Sequence, residues 1–157
     1  MKKMIIAALM LFSISTFAQS GKSVYNKYSE APGVSAVYIS PAMFRMIGRL
    51  PDMEMADEDI NLSPIIKSLN GFYLIDSENQ EINDSLRQDV ETMVKKGEYE
   101  LMMEVKEDGE IVHIYTLGSE KELTGLVLLE FEPGSCTFIC LDGRVSRDQF
   151  EDLIAEK

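Results

Sequence analysis

The spacing of apolar positions changes several times along the chain, and each change predicts an element. Residues 22–30, KSVYNKYSE, read as a short helix that Ala31-Pro32-Gly33 breaks. Val34 to Ile39 is a strand with apolar residues on both faces. Ser40 then caps a helix with Pro41 at its first position, where a missing N–H costs nothing. Met43, Phe44, Ile47 and Leu50 make the expected buried stripe of that helix, and Pro51 ends it. Residues 52–61 are acidic and have no apolar period, which predicts a loop. A turn of helix over Leu62 to Leu69 stops at Asn70-Gly71, and Phe72 to Ile75 reads as a short buried strand. The clearest helix runs from Gln80 to Lys96, with Ile82, Leu86, Val90 and Met93 on one face. Lys95 and Lys96 suit the negative end of its dipole, and Gly97 suits the stop.

The period then becomes two. Tyr99, Leu101, Met103 and Val105 alternate with Glu98, Glu100, Met102, Glu104 and Lys106, predicting a strand with one buried and one mostly charged face. Glu107-Asp108-Gly109 reads as a hairpin turn pairing Lys106 with Glu110 and Val105 with Ile111. Strands follow at Ile111 to Leu117, Leu123 to Phe131 and Cys136 to Leu141, and Asp142-Gly143 ends the last. Ser146 and Gln149 form a capping box for a closing helix that buries Phe150, Leu153 and Ile154. The order is strand, helix, strand, helix, a four-strand meander, helix. It predicts one α+β domain, a largely antiparallel sheet with its helices on one face. The other face would carry Glu100, Glu104 and several β-branched residues.

The first residues, MKKMIIAALMLFSISTFAQS, change the picture of where this domain works. Lys2 and Lys3 precede nine apolar residues, Met4 to Phe12, and Thr16 and Ala18 stand at −3 and −1 of a cleavage site. This is the pattern of a secretory signal peptide, residues 1–18, cut after Ala18. The run falls short of the ~20 residues that span a bilayer. No Cys follows the cut, so no lipid anchor is expected. Residues 19–157 should form a single exported domain, periplasmic or extracellular, without a membrane span. Removing two lysines moves the formal charge from −12 to −14. Such a polyanion is repelled by nucleic acid and by anionic headgroups, so nucleic-acid binding is excluded.

Candidate chemistry is sparse. Cys136 and Cys140 lie four residues apart on an expected strand. A strand carries them about 13 Å apart, whereas a disulfide tolerates about 7 Å between Cα atoms. They read as buried free thiols. Asp57, Asp59 and Asn61 alternate like the first ligands of a calcium loop, but Leu62 stands where that loop needs Gly and Ser68 where it needs Glu. The stretch reads as a solvated loop. Met43 with Met46, and Met53 with Met55, have spacings known from Cu(I) sites, without a nearby His or Cys. The only histidine, His113, sits mid-strand, and no nucleophile elbow, metalloprotease motif or phosphate-binding glycine loop occurs. No catalytic residue, cofactor or metal is expected.

YELMMEVKEDGEIVHIYTLG, residues 99–118, together with VSAVYISPAMFRMI, LVLLEF and CLDGRVSRDQFEDL, resembles the DUF4252 family over most of the exported chain. The resemblance implies a small exported protein of Bacteroidetes-type bacteria with no assigned activity. Its members are often encoded near extracytoplasmic sigma factors, which implies a role in envelope signalling or stress response. The first functional expectation is therefore a non-catalytic domain that binds another envelope protein. It would use an open sheet face containing Met102, Val112 and Ile114, or accept a strand at the sheet edge. A homodimer through the same face is an alternative. The rival expectation is a small-molecule or metal-binding protein, or a weak enzyme. Its pocket would lie between sheet and helices near Tyr73, Tyr99, His113 and Tyr115.

Overall fold

A computed structural model describes residues 20–47 and 63–148. The elements are α1 (Gly21–Tyr28), β1 (Val34–Ile39), α2 (Pro41–Ile47), α3 (Ser63–Ser68), β2 (Leu69–Ser77), α4 (Gln80–Lys96), β3 (Glu100–Glu107), β4 (Glu110–Gly118), β5 (Glu122–Glu132) and β6 (Ser135–Ser146). The strands form one six-stranded sheet in the order β1-β2-β6-β5-β4-β3, and every neighbouring pair is antiparallel. β3 to β6 make the expected meander, and β6 closes against β2. The fold is a single α+β domain.

α1 and α4 pack on one face of this sheet. Val24 and Tyr28 of α1 and Leu86, Val90, Met93 and Val94 of α4 bury against Tyr73, Ile75, Val127, Leu129, Cys136, Phe138 and Cys140. Ser20 accepts from the Ser23 amide to cap α1, and Asn79 accepts from the Glu81 amide to cap α4. Asp89 joins the two helices, accepting from Lys27 Nζ and Tyr28 Oη, each at 2.6 Å. Within the core the Ser77 hydroxyl meets Asn83 Oδ1 at 2.7 Å, and Asn83 Nδ2 donates to the Gly134 carbonyl at 3.0 Å. The buried polar groups are thus paired. The short helices α2 and α3 pack on each other beside β2 and β6.

Several sequence expectations change. The β3–β4 hairpin turns on two residues, Asp108 (φ 47°) and Gly109 (φ 90°), so Glu107 pairs with Glu110, Lys106 with Ile111 and Val105 with Val112. Two left-handed residues in succession match the twist of the flanking strands. A bulge between Leu101 and Met103 then breaks the alternation of β3. All eight residues of β3 are exposed, because it is an edge strand that α4 does not reach, and no buried face forms there. Glu104 faces His113 on the helix side, whereas Glu100 pairs with Thr116 on the other. Met43 is exposed, Phe44 is buried and Ile47 only partly so, while Leu50 of the expected stripe lies outside the described residues. Strand pairing begins at Leu69 and takes in Asn70-Gly71, and β6 continues past Asp142-Gly143 to Ser146 because Leu123 pairs with Val145. At the end of α4 the left-handed residue is Glu98 (φ 57°). Gly97 instead makes room for the Tyr99 ring, which would lie 2.9 Å from an added Cβ. The expected signal peptide, the expected loop over residues 52–61 with its calcium-like residues, and the expected closing helix beyond residue 148 lie outside the described residues. No described helix is long and apolar enough to cross a membrane.

Candidate functional site

Directly paired residues of antiparallel strands share a face, so the registers sort every strand residue. On the side away from α1 and α4, one row crosses the whole sheet as Val37, Leu74, Ile139, Leu128, Ile114 and Met103. Every member is apolar. The inner four are half-buried, while Val37 and Met103 at the edges are 44% and 45% exposed. Their neighbours along the strands on the helix side, Ile75, Phe138 and Leu129, are at most 2% exposed. Among the described residues the contrast separates the face covered by α1 and α4 from an opposite face that these two helices leave uncovered. Of the expected partner-binding residues, Ile114 belongs to this row and Val112 lies one row over, paired with Val105. Met102 is the extra residue of the bulge, 55% exposed, and pairs with neither. Met103 takes the place expected of it.

The row beside it runs Asp76, Thr137, Glu130, Val112. Asp76 accepts from Thr137 Oγ1 at 3.1 Å. Burial raises the Glu130 carboxyl above its usual range, and the charges of Glu110 and Glu132 and a hydrogen bond to Glu110 raise it further. Among the described residues no lysine or arginine forms an ion pair with Asp76, Glu110, Glu130 or Glu132. The uncovered face therefore joins an apolar band to an unneutralised acidic border.

The residues expected to line a pocket all belong to the helix side but form two groups, Tyr73 with Tyr99 around Asp142 and His113 with Tyr115. Tyr73 stacks on Tyr38 at 5.2 Å between ring centroids and meets Tyr25 at 5.8 Å. His113 lies three strands away, on β4. Its Nε2 is 2.7 Å from Glu104 Oε2, and its Nδ1 is 3.1 Å from Tyr115 Oη. With Nε2 donating to the carboxylate, Nδ1 accepts the phenol proton. Both ring nitrogens are engaged, so His113 makes no pair with Cys136 or Cys140. Lys106 also binds Glu104, at 2.8 Å, and these two hydrogen bonds hold its carboxyl below the usual range. Burial pushes the Tyr115 phenol up, so it stays protonated at neutral pH. Both thiols are free and buried; Cys136 is pushed up to about 12 and Cys140 also lies far above the usual thiol range. Such thiols are inert toward nucleophilic chemistry.

Asp142 is the site residue that the strand reading missed. It pairs with Gly71 on one side and Gly125 on the other. The Tyr73 and Tyr99 rings lie over those glycines, with their hydroxyls 3.1 Å from where a Cβ would stand. Asp142 Oδ1 is 3.7 Å from the Cys140 sulfur. Burial raises its carboxyl above the usual range, and the thiol contact offsets that only in part. The sole signal in the sequence is an acid in CLDG flanked by apolar strand residues. At the far end of the sheet, Glu100, Gly118, Ser119, Glu120 and Arg147 line a shallow depression of about 540 Å³. Arg147 Nε is bound there to the Ser119 carbonyl at 2.8 Å. Among the described residues no group of three or more His, Cys, Asp and Glu side chains could hold a metal ion.

A family model described as a domain of unknown function, DUF4252, matches residues 28–153. The chain belongs to the DUF4252 family. The match spans α1's last residue through the end of the sheet, so it takes in every strand of this DUF4252 domain. No curated protein and no solved structure matches the chain.

Proposed function

We propose that this DUF4252 protein is a non-catalytic exported domain that binds another envelope protein, as an accessory in envelope signalling or stress response. The observation that carries the reading is the apolar row across the uncovered sheet face. Contiguous exposed apolar surface rimmed by polar residues marks interaction sites. The exposed edge strand β3 lies at one end of that row, which Met103 completes, and Val105 extends the adjacent row past Val112. The family's genetic association with extracytoplasmic sigma factors points to the envelope.

The test is in-cell cross-linking of the tagged protein, followed by identification of what is recovered. One reproducible envelope protein is expected, lost when Val112 and Ile114 are both changed to Asp. Circular dichroism on the purified variant checks that the fold is kept. Undiminished recovery with the double variant would sink this surface.

A second reading, a small-ligand site between sheet and helices, has one observation in its favour. Asp142 is a half-buried carboxyl between two tyrosine rings with only a thiol as hydrogen-bond partner among the described residues. A carboxylate walled by aromatic faces suits an organic ammonium ion. Thermal-shift titration with primary and quaternary amines, and separately with calcium and Cu(I), tests it. A melting temperature unmoved by all of them removes this branch.

A further inference from the structure

We propose that the uncovered sheet face receives a cationic amphipathic segment of a partner protein, its apolar strip on the Val37–Met103 row and its lysines or arginines against the acidic border. This rests on the protein-binding reading above and specifies the partner's chemistry. Strands lie about 4.8 Å apart, so six of them carry the row across roughly 24 Å. A helix of about 16 residues has that length.

The acidic border selects the sign of the partner. Docking any segment on the apolar row removes water from Glu130 and Asp76, which stand one row away. Burying a carboxylate is costly unless a cation comes with the covering segment. Glu130 already stands among like charges, and no lysine or arginine of the described residues neutralises it. A second copy would bring another such border and a formal charge of −12, placing acid against acid. An anionic lipid surface is repelled in the same way. Of the chain's own segments outside the described residues, residues 48–62 carry five acids against Arg49 and residues 149–157 carry three against Lys157, while Lys2 and Lys3 belong to the expected signal peptide, which the processed protein lacks.

The probe is a synthetic 16-residue Leu/Lys amphipathic peptide (about the length of the row), with a Leu/Glu peptide of the same pattern as control. Binding to the full processed protein is read by fluorescence anisotropy. One Leu/Lys peptide per protein is expected, with affinity falling at least about tenfold when salt rises from about 50 to about 300 mM. The Leu/Glu peptide should bind at least about a hundredfold more weakly. Asp76→Lys with Glu130→Lys should cost at least about tenfold, and so should Leu128→Gln. Glu120→Lys with Glu122→Lys, at the opposite end of the sheet, should leave the affinity unchanged and so exclude attraction to net charge alone. Equal binding of the two peptides, equal loss in both lysine pairs, or a stable dimer at neutral pH that Leu128→Gln disrupts would each overturn the proposal. The cross-linked envelope partner separates the two levels. If it is lost with Val112→Asp/Ile114→Asp but kept with Asp76→Lys/Glu130→Lys, the binding reading stands and the cationic partner fails. If no envelope partner is recovered, the binding reading itself fails.

Discussion

Asp142 stands in the sheet between two glycines whose missing side chains are replaced by tyrosine rings, and this costs the folded protein stability at neutral pH. Burial raises its pKa above the ordinary carboxylate value. The folded state therefore holds the proton more tightly than the unfolded chain does. Below about pH 3.9 both states are protonated and the group is neutral to stability. As pH rises, the unfolded chain ionises first, and the native state is progressively penalised until its own raised pKa is passed. Asp142→Asn keeps the shape and removes the charge. It should stabilise the protein at pH 7 and leave it nearly unchanged at about pH 3.5. Urea unfolding at the two pH values measures this, and an equal change at both would assign the effect to packing. The same site limits substitution at Gly125, where a side chain would meet the Tyr99 hydroxyl at 3.1 Å. A residue that reads as a strand terminator in sequence is thus a desolvated carboxyl inside the longest strand of the sheet.

At the scale of elements, the β3–β4 hairpin shows how a turn sets a face. Gly109 at φ 90° and Asp108 at φ 47° fix a two-residue turn, and that register puts Val105 opposite Val112. A one-residue slip would turn every β3 side chain to the other side. Gly109→Val places a β-branched residue in left-handed backbone, which costs roughly 1–2 kcal/mol. Hydrogen exchange should quicken across β3 far more than in β6, since β3 is an edge strand and β6 is central. Uniform quickening would mean that the hairpin and the sheet open together. Where local signals suffice, the sequence is readable. α4 spans Gln80 to Lys96 and β1 spans Val34 to Ile39, as their apolar spacing and flanking breakers predict. The expected hairpin register is off by one because it takes Glu107 into the turn, whereas Asp108-Gly109 alone makes the preferred two-residue turn and Glu107 stays in the ladder. The bulge at Met102 carries no Gly or Pro to announce it, so the face of Glu104 and the membership of Met102 could not be read locally. The placement of β6 between β2 and β5 is a long-range choice without a local marker. It is this choice that aligns the six apolar side chains of the uncovered row and sets Glu130 in one row with Asp76, across Thr137.

At the scale of the molecule, the apolar row and the net charge oppose each other. A formal charge of −12 keeps copies apart at neutral pH, while a half-exposed apolar face draws them together. Repulsion acts over a Debye length of about 8 Å at physiological salt. Apolar contact gains about 25 cal/mol for each Å² removed from water, whatever the pH. Lowering the pH therefore weakens only one side of the balance. Glu130 protonates ahead of ordinary glutamates, because burial and the neighbouring acids raise its pKa. The border of the uncovered face thus discharges while much of the remaining surface is still anionic. The protein should sediment as a monomer at about pH 7.5 and associate at about pH 4.5, near the ordinary glutamate pKa. Leu128→Gln should prevent the association at the lower pH, and Glu130→Gln should move its onset to higher pH. Sedimentation velocity across this range tests both. Association that Leu128→Gln leaves intact would place the contact elsewhere on the surface. Association that Glu130→Gln leaves at the same pH would assign it to net charge rather than to the border. The outcome fixes which of two forces keeps the face free: the acids beside it, which a cationic partner would neutralise, or the charge of the molecule as a whole.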